Sequence, residues 1–409
     1  MPVFIYHSLK FTGFMRKVFI TDGRSLATLA IARSLGEKGF EVHCGENFYY
    51  NITFFSKYIS KKIIYPSPEQ EPEQFIDKML KITKENQYDI IIPVRDETTS
   101  LLSKHKDDFT KYTKLYLSNY ESIKRLRDKG ETIKLARECG VPVPETYFPE
   151  DTKVEEIKKS VGYPALIRPR ISSGARGICY VESMKEFDES YYQVKEEYGE
   201  PIIQEYVSHD GGHFSIGALF NETSELMAVH VYKELKQYPI NGGPAVTAIS
   251  VPRDEWVDTM LQILKEVNWV GPAHMDVLYD PVSNEPKLLE VNPRFWMSLN
   301  LSIKSGVDFP YLIYKLAKGE HVTPVNSYKV GLKYRWVLPN EILWMLQTPN
   351  KIKGIKEFIN FWGDETCYGE LALEDPLPIV GVLLQSINYA LDSDRRRSIL
   401  GRGWTLKEG

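Results

Sequence analysis

The sequence has no basic surplus, no cysteine cluster, no long apolar run and no internal repeat. Lys and Arg number 51 against 55 Asp and Glu, a formal charge of −4, so nothing draws the chain as a whole to nucleic acid or an anionic membrane. The four cysteines, Cys44, Cys139, Cys179 and Cys367, are scattered, with no Cys-x-x-Cys and no histidine grouped with them. That spacing argues against a zinc knuckle or a disulfide framework and predicts a reducing, cytoplasmic setting. No stretch supplies the roughly 20 apolar residues of a membrane-spanning helix. The best candidate, Ile379 to Leu391, is interrupted by Gln385, Ser386 and Asn388 and reads as a buried helix. The first fourteen residues lack a sustained hydrophobic region before a small-residue cleavage site, and Met15-Arg-Lys-Val-Phe-Ile-Thr reads as a start directly before a first strand.

With 409 residues, 43% of them hydrophobic and 26% charged, the chain is long enough for two or three subdomains around a shared cleft. Val18 to Thr21, the turn Asp22-Gly23-Arg24, a helical stretch from Ser25 to Leu35 and a strand-like run Glu41 to Cys44 predict a βαβ unit. Tyr88 to Val94 reads as a buried parallel strand, followed by a helix that Thr98 or Thr99 would cap. Ser118-x-x-Glu121 and Asp128-x-x-Glu131 have the form of capping boxes and predict two further helices, the second stopped by Gly140. Strand runs at Phe214 to Phe220, Leu226 to Tyr232, Ala273 to Tyr279 and Lys287 to Val291 predict a mixed antiparallel domain. The expected organisation is α/β and α+β: a doubly wound parallel-sheet domain over 1–118, a second domain over 119–327 with a small lid at about 141–205, and a mainly helical extension over 328–409 without recognisable chemistry.

Chemistry concentrates in Leu289-Glu290-Val291-Asn292-Pro293-Arg294. On a strand, Glu290, Asn292 and Arg294 share one face, and Gly271-Pro-Ala-His-Met-Asp276 sets another carboxylate on a neighbouring strand. Two carboxylates about 4 Å apart repel by roughly 4 kcal/mol at an effective dielectric near 20, so their convergence demands a proton or a cation. Oxygen donors from Asp276, Glu290 and Asn292 suit Mg²⁺ (or Mn²⁺), and Arg294 offers a positive fork to a transferring phosphoryl group. The alternative is a structural salt-bridge network.

A second element runs from Arg168 through Arg170 and Ser172-Ser173-Gly174-Ala175-Arg176-Gly177, where small residues let backbone N–H groups approach phosphates; without its arginines it would be an ordinary turn. Lys129 opens a helix whose free N–H groups attract anions, although a lone lysine is usually solvated. Ile202 to Val207, an apolar strand with Glu205 and Tyr206 at its end, has the form of an adenine-binding hinge or of any strand end. Lys233 to Pro244, with Gly242 and Gly243, is expected to be a flexible loop over substrate, or a plain hairpin.

Taken in order, these elements resemble the ATP-grasp superfamily, nearest its carbamoyl-phosphate-synthase-like and biotin-carboxylase-like branch, over roughly Val18 to Lys318. The resemblance implies an ATP held between lid and central domain, with Lys129 and Arg168 on the phosphates and Glu205-Tyr206-Val207 at the adenine. It implies Mg²⁺ on Asp276, Glu290 and Asn292, with Arg294 and Arg168 as catalytic arginines. His213 stands where similar sequences carry an acidic ribose ligand, Arg168 where many carry lysine, and Met297 where glycine is common. The run to Asn300 is similar to carboxylate-amine ligase-like members and sets Trp296 and Asn300 near the substrate. The implied reaction forms an acyl phosphate from a carboxylate, such as an amino acid, and joins it to an amine; a homodimer is implied only by similar enzymes. The alternatives are a bicarbonate-using carboxylase and a non-catalytic nucleotide-binding protein. The lack of Gly-x-Gly-x-x-Gly after Ile20 argues against an oxidoreductase.

Overall fold

The structure, a computed structural model, describes residues 16–240, 242–359, 363 and 365–391. The expectation about Met15 as a start, and Asn241 of the glycine loop, lie outside the described residues.

Four parallel strands form the first sheet: β1 (Lys17–Ile20), β2 (Glu41–Glu46), β3 (Ile59–Ile64) and β4 (Ile90–Ile92), in the order β3-β2-β1-β4. Val18, Phe19 and Ile20 are fully buried because helices cover both faces, which is why these runs are continuously apolar. Helix Leu26–Glu37 starts where Ser25 Oγ accepts from the Ala27 N–H. Two expected caps are corrected. The helix after β4 is Asp96–Lys104, with Arg95 at its N-cap; Thr98 lies within it and donates to Asp22 Oδ2 at 2.6 Å instead. Asn119, not Ser118, caps helix Tyr120–Arg127 by accepting from Ser122 N, because the Ser118 hydroxyl is engaged by the Val270 backbone. Asp128 caps helix Lys129–Glu138 as expected, accepting from Gly130 and Glu131.

The lid is a small antiparallel sheet of β5 (Thr146–Tyr147), β6 (Ala165–Arg168), β7 (Cys179–Val181) and β8 (Ile202–Glu205), in the order β5-β8-β6-β7. Helix Met184–Tyr198 packs on it through Phe187, Tyr191 and Val194, which meet Ile167 and Ile203 in a separate small core.

The central sheet contains β9 (His213–Phe220), β10 (Leu226–Gln237), β11 (Ala245–Ser250), β12 (Gly271–Asp280), β13 (Glu285–Asn292), β14 (Lys333–Arg335) and β15 (Thr366–Tyr368). Its order is β13-β12-β9-β10-β11-β14-β15. Two features differ from expectation, and one adds to it. β10 continues to Gln237, so Lys233 and Glu234 belong to a strand, and the loop is only the turn before β11. The extension after 328 is mainly helical among its described residues, and it also supplies β14, which pairs with β11, and β15, which pairs with β14. Helix Pro378–Leu391 is half-buried: Gly381 and Val382 pack inward while Leu383 and Ile387 are exposed.

The extension is fastened to the first domain by Arg33, whose Nε donates to Asp375 Oδ2 at 2.9 Å and whose Nη2 donates to the Glu370 carbonyl at 2.8 Å. Both partners are buried, and breaking a buried pair leaves an uncompensated charge. Arg33→Ala is expected to destabilise the protein by about 3 to 5 kcal/mol in denaturant unfolding. A loss under about 1 kcal/mol would show that the tie carries no such weight.

Candidate active site

Asp276 on β12 and Glu290 on β13 sit opposite each other, with a bulge directly after Asp276. Asn292 is two residues beyond Glu290 and so shares its face. Its amide nitrogen donates to Asp276 Oδ2 at 3.0 Å and to Glu290 Oε1 at 3.1 Å, bridging the two acids. The other Glu290 oxygen meets two cations, Lys129 Nζ at 3.2 Å and Arg168 Nη2 at 3.4 Å. Lys129 also donates to the Ser172 carbonyl at 2.8 Å, which ties its helix to the Gly-rich loop. Arg168 is steadied by Gln204 Oε1 at 2.5 Å. Arg294, just past β13, is held by Asp96 Oδ2 at 2.8 Å, the Phe295 carbonyl at 2.8 Å and Asn292 Oδ1 at 3.1 Å. Asp96 opens the helix after β4, so the first domain aims the arginine that follows β13.

Burial, the largest single influence, would raise the Glu290 carboxyl, but Lys129, Arg168 and the Asn292 amide together hold it below the usual carboxylate range. Burial would likewise raise Asp276, which His274 and His213 hold far lower. His213 Nε2 is 3.6 Å from Asp276 Oδ1, and its Nδ1 is 3.7 Å from Glu234 Oε2. Burial works against the imidazolium, yet Glu234 and Asp276 push this histidine up to about 9. Fixed cations therefore balance part of the acidic charge. Several buried polar atoms here have no hydrogen-bond partner: Arg168 Nε, Ser172 Oγ, His213 Nε2, His274 Nδ1 and Trp296 Nε1. Unmet buried groups cost about 1 to 3 kcal/mol each, so a ligand that meets them gains binding energy. The oxygen donors of Asp276, Glu290 and Asn292 fit a hard divalent cation, and the orphaned donors fit an anionic ligand such as a polyphosphate.

A cleft of about 590 Å³ is lined by Arg168, Asp276, Glu290, Asn292 and Arg294 together with Val207, Leu278, Arg24 and Trp336, and Lys129 and Ser172 line a second pocket that shares Glu290 and Asn292 with it. Residues 126–298 match the family model of the ATP-grasp domain. This segment is an ATP-grasp domain. The chain is 23% identical over 275 residues to a D-aspartate ligase of Enterococcus faecium (strain Aus0004), covering 61% of this chain and 65% of that protein. It is 23% identical over 279 residues to the carbamoyl phosphate synthase large chain of Pyrococcus furiosus, covering 63% of this chain and 26% of that one. It thus spans less than two thirds of either relative. A solved biotin carboxylase from Campylobacter jejuni shares the fold at a TM-score of 0.65 and 17% identity, over 78% of this chain and 74% of that one.

Within the ATP-grasp domain, the loop from Ser172 to Gly177 covers the cleft with Gly174, Ala175 and Gly177 at positive φ of 64°, 56° and 71°. Arg176 folds back on this loop, donating to Ser173 O and Oγ. Arg170 turns away to Asp128, Glu131 and Glu150, pinning the loop to the start of the Lys129 helix. Glu205, Val207, His213, Gly242, Gly243 and Trp296 line the cleft, and Glu205 Oε1 accepts from Lys287 Nζ at 2.6 Å.

Three expected residues do not join them. Lys233 is on the opposite face of β10 from Tyr232 and Glu234, with Nζ 5.4 Å from the Phe214 ring centroid. The Tyr206 ring packs edge-on against Tyr180. Asn300 is buried and donates to the Tyr368 carbonyl at 2.7 Å, fastening its helix to β15.

Sequence reasoning missed Glu234, which touches His213, Ser215 and Gln237; strand alternation from Tyr232 would have found it. Asp96 was also legible, since ligands gather at the carboxyl ends of parallel strands.

His213 sits above its ordinary value of 6.5. Its charged form therefore stabilises the fold fully below about pH 6.5, and that contribution is lost as pH rises through 9. In ligand-free protein, NMR titration should find the His213 imidazole near pH 9, and stability should decline from pH 6.5 to 9 less steeply in His213→Gln. Titration near 6.5 would contradict the assigned ion pairs.

Proposed function

We propose that the chain is an ATP-dependent ligase that activates a carboxylate as an acyl phosphate and joins it to an amine, with release of ADP and phosphate. One observation carries this reading: three oxygen-donor side chains, Asp276, Glu290 and Asn292, share a pocket with Lys129, Arg168 and Arg294 beneath a Gly-rich loop. Similarity to a protein named for ligating D-aspartate supports an amino acid or small acid as a substrate.

Asp276, Glu290 and Asn292 would hold Mg²⁺ (or Mn²⁺), which supplies Lewis-acid charge to phosphate oxygens when bound. Lys129, Arg168 and the backbone N–H groups of residues 173–177 would grip the phosphates. Glu205 and Val207 would meet the adenine, and His213 the ribose. Arg294 would donate to the charge that develops on the transferred phosphoryl group. Burial, the largest single influence, would lower its guanidinium, but Asp96, Glu290 and Glu97 together raise it and keep it charged. Positioning and charge do the work here, and no side-chain nucleophile is needed.

Incubating the protein with Mg·ATP and pooled amino acids and amines should release ADP and phosphate, with a condensed product found by mass spectrometry. Glu290→Gln and Arg294→Ala should each lower that turnover by about 10² or more while leaving the thermal midpoint within a few degrees. Unchanged turnover in either variant would refute its role.

A further inference from the structure

Part of the cleft wall is built by segments of the chain outside the ATP-grasp domain: the loops after β1 and β2, and the extension after 328. In the order β3-β2-β1-β4, the connections leave β1 toward one edge while β4 lies on its other side. That makes the carboxyl ends of β1 and β4 the switch point at which open parallel sheets take ligands. Arg24 stands there. Its backbone is pinned twice, the N–H donating to Glu46 Oε2 at 3.0 Å and the carbonyl accepting from Gln385 Nε2 at 3.3 Å. Its guanidinium makes no hydrogen bond among the described residues, and buried Nε has only a 3.5 Å contact with Glu46. Glu46 is itself engaged by the N–H groups of Arg24 and Asn47. The loop is thus fixed, while the planar fork is left open to the cleft.

Facing it is an apolar wall. Leu26, Ile52, Met297, Trp336, Leu338 and Val382 form one cluster, and all of them line the cleft. The wall is held in register by Gln385 Oε1, which accepts from the Ile52 N–H at 3.1 Å, and by Gly381, where any Cβ would lie 2.8 Å from Ile52 Cα.

A guanidinium held from behind by Glu46 at 3.5 Å and over the Phe48 ring at 5.9 Å, with no hydrogen bond on Nη1 or Nη2 among the described residues, can still take a carboxylate attached to an apolar body beside this branched and aromatic wall. We infer that this part of the cleft takes a carboxylate of amino-acid size with an aliphatic or aromatic side chain, its carboxylate on Arg24 and its side chain against Trp336, Leu338 and Val382. The assignment deepens the proposed ligase function and rests on it.

The test is calorimetric titration of the full chain, loaded with Mg·ADP, by L-leucine, L-alanine, L-aspartate and L-leucinamide. Leucine should bind at least about tenfold more tightly than alanine, the scale on which apolar pockets discriminate size. Aspartate and leucinamide should also bind at least about tenfold more weakly than leucine, since one brings a charge to the wall and the other lacks the carboxylate. In Arg24→Gln the gap between leucine and leucinamide should close, and in Trp336→Ala the gap between leucine and alanine should narrow; Mg·ADP titration of each variant reports its folding. Alanine or aspartate binding as tightly as leucine overturns the inference. So does a protein that takes Mg·ADP but none of the four, an outcome that leaves the ligase reading intact. Failure to take Mg·ADP sinks both.

Discussion

Two acids on adjacent strands, Asp276 and Glu290, cannot share a pocket in low dielectric without compensation, and much of the molecule is arranged around supplying it. The Asn292 amide spans them, and three cations from three different places face them: Lys129 from a helix start, Arg168 from the lid and His213 from the central sheet. Each cation enters from an element that must be folded and docked before it can offset the acids. The site therefore reports on the assembly of lid and central sheet together, and its charge balance is fixed before any ligand arrives.

The same logic explains the long-range ties. Arg294 lies on the central sheet but takes its orientation from Asp96 in the first domain, and Arg33 of the first domain reaches the extension at Asp375. Neither pair is local in sequence, and each adds a polar tie between elements that already share a hydrophobic core. The lid is joined differently. It has a core of its own, a small apolar contact of Phe148 and Ile202 with Ile133 of the Lys129 helix, and polar contacts near the pocket through Lys129, Arg168 and Arg170.

Much of this was legible in the sequence because it depends on short-range rules. Continuous apolar runs marked the parallel strands, Asp128 announced its helix, and the two-residue spacing from Glu290 to Arg294 set three polar groups on one face. The reading failed where tertiary partners overrode local pattern. Ser118 gave up its cap to bind the Val270 backbone, and Thr98 was drawn to the carboxylate of Asp22. Lys233 and Glu234 looked like loop because a polar run ends the apolar stretch, yet β10 carries them onward between β9 and β11, which reversed their roles: the lysine left the cleft and the glutamate entered it. The extension showed no motif because its contribution is shape: Trp336, Leu338 and Val382 matter only once they lie against Leu26 and Ile52.

The pairing of β14 with β11 carries a further consequence. The segment that defines the ATP-grasp domain ends at 298, but the sheet inside it is completed by strands drawn from later in the chain. Cut at the family boundary, β11 would present the backbone groups of residues 247–249 as a bare edge, open to pairing with other chains. In this protein the smallest unit able to fold cleanly is therefore larger than the homologous module, and exchanging that module with a relative would have to carry β14 along with it.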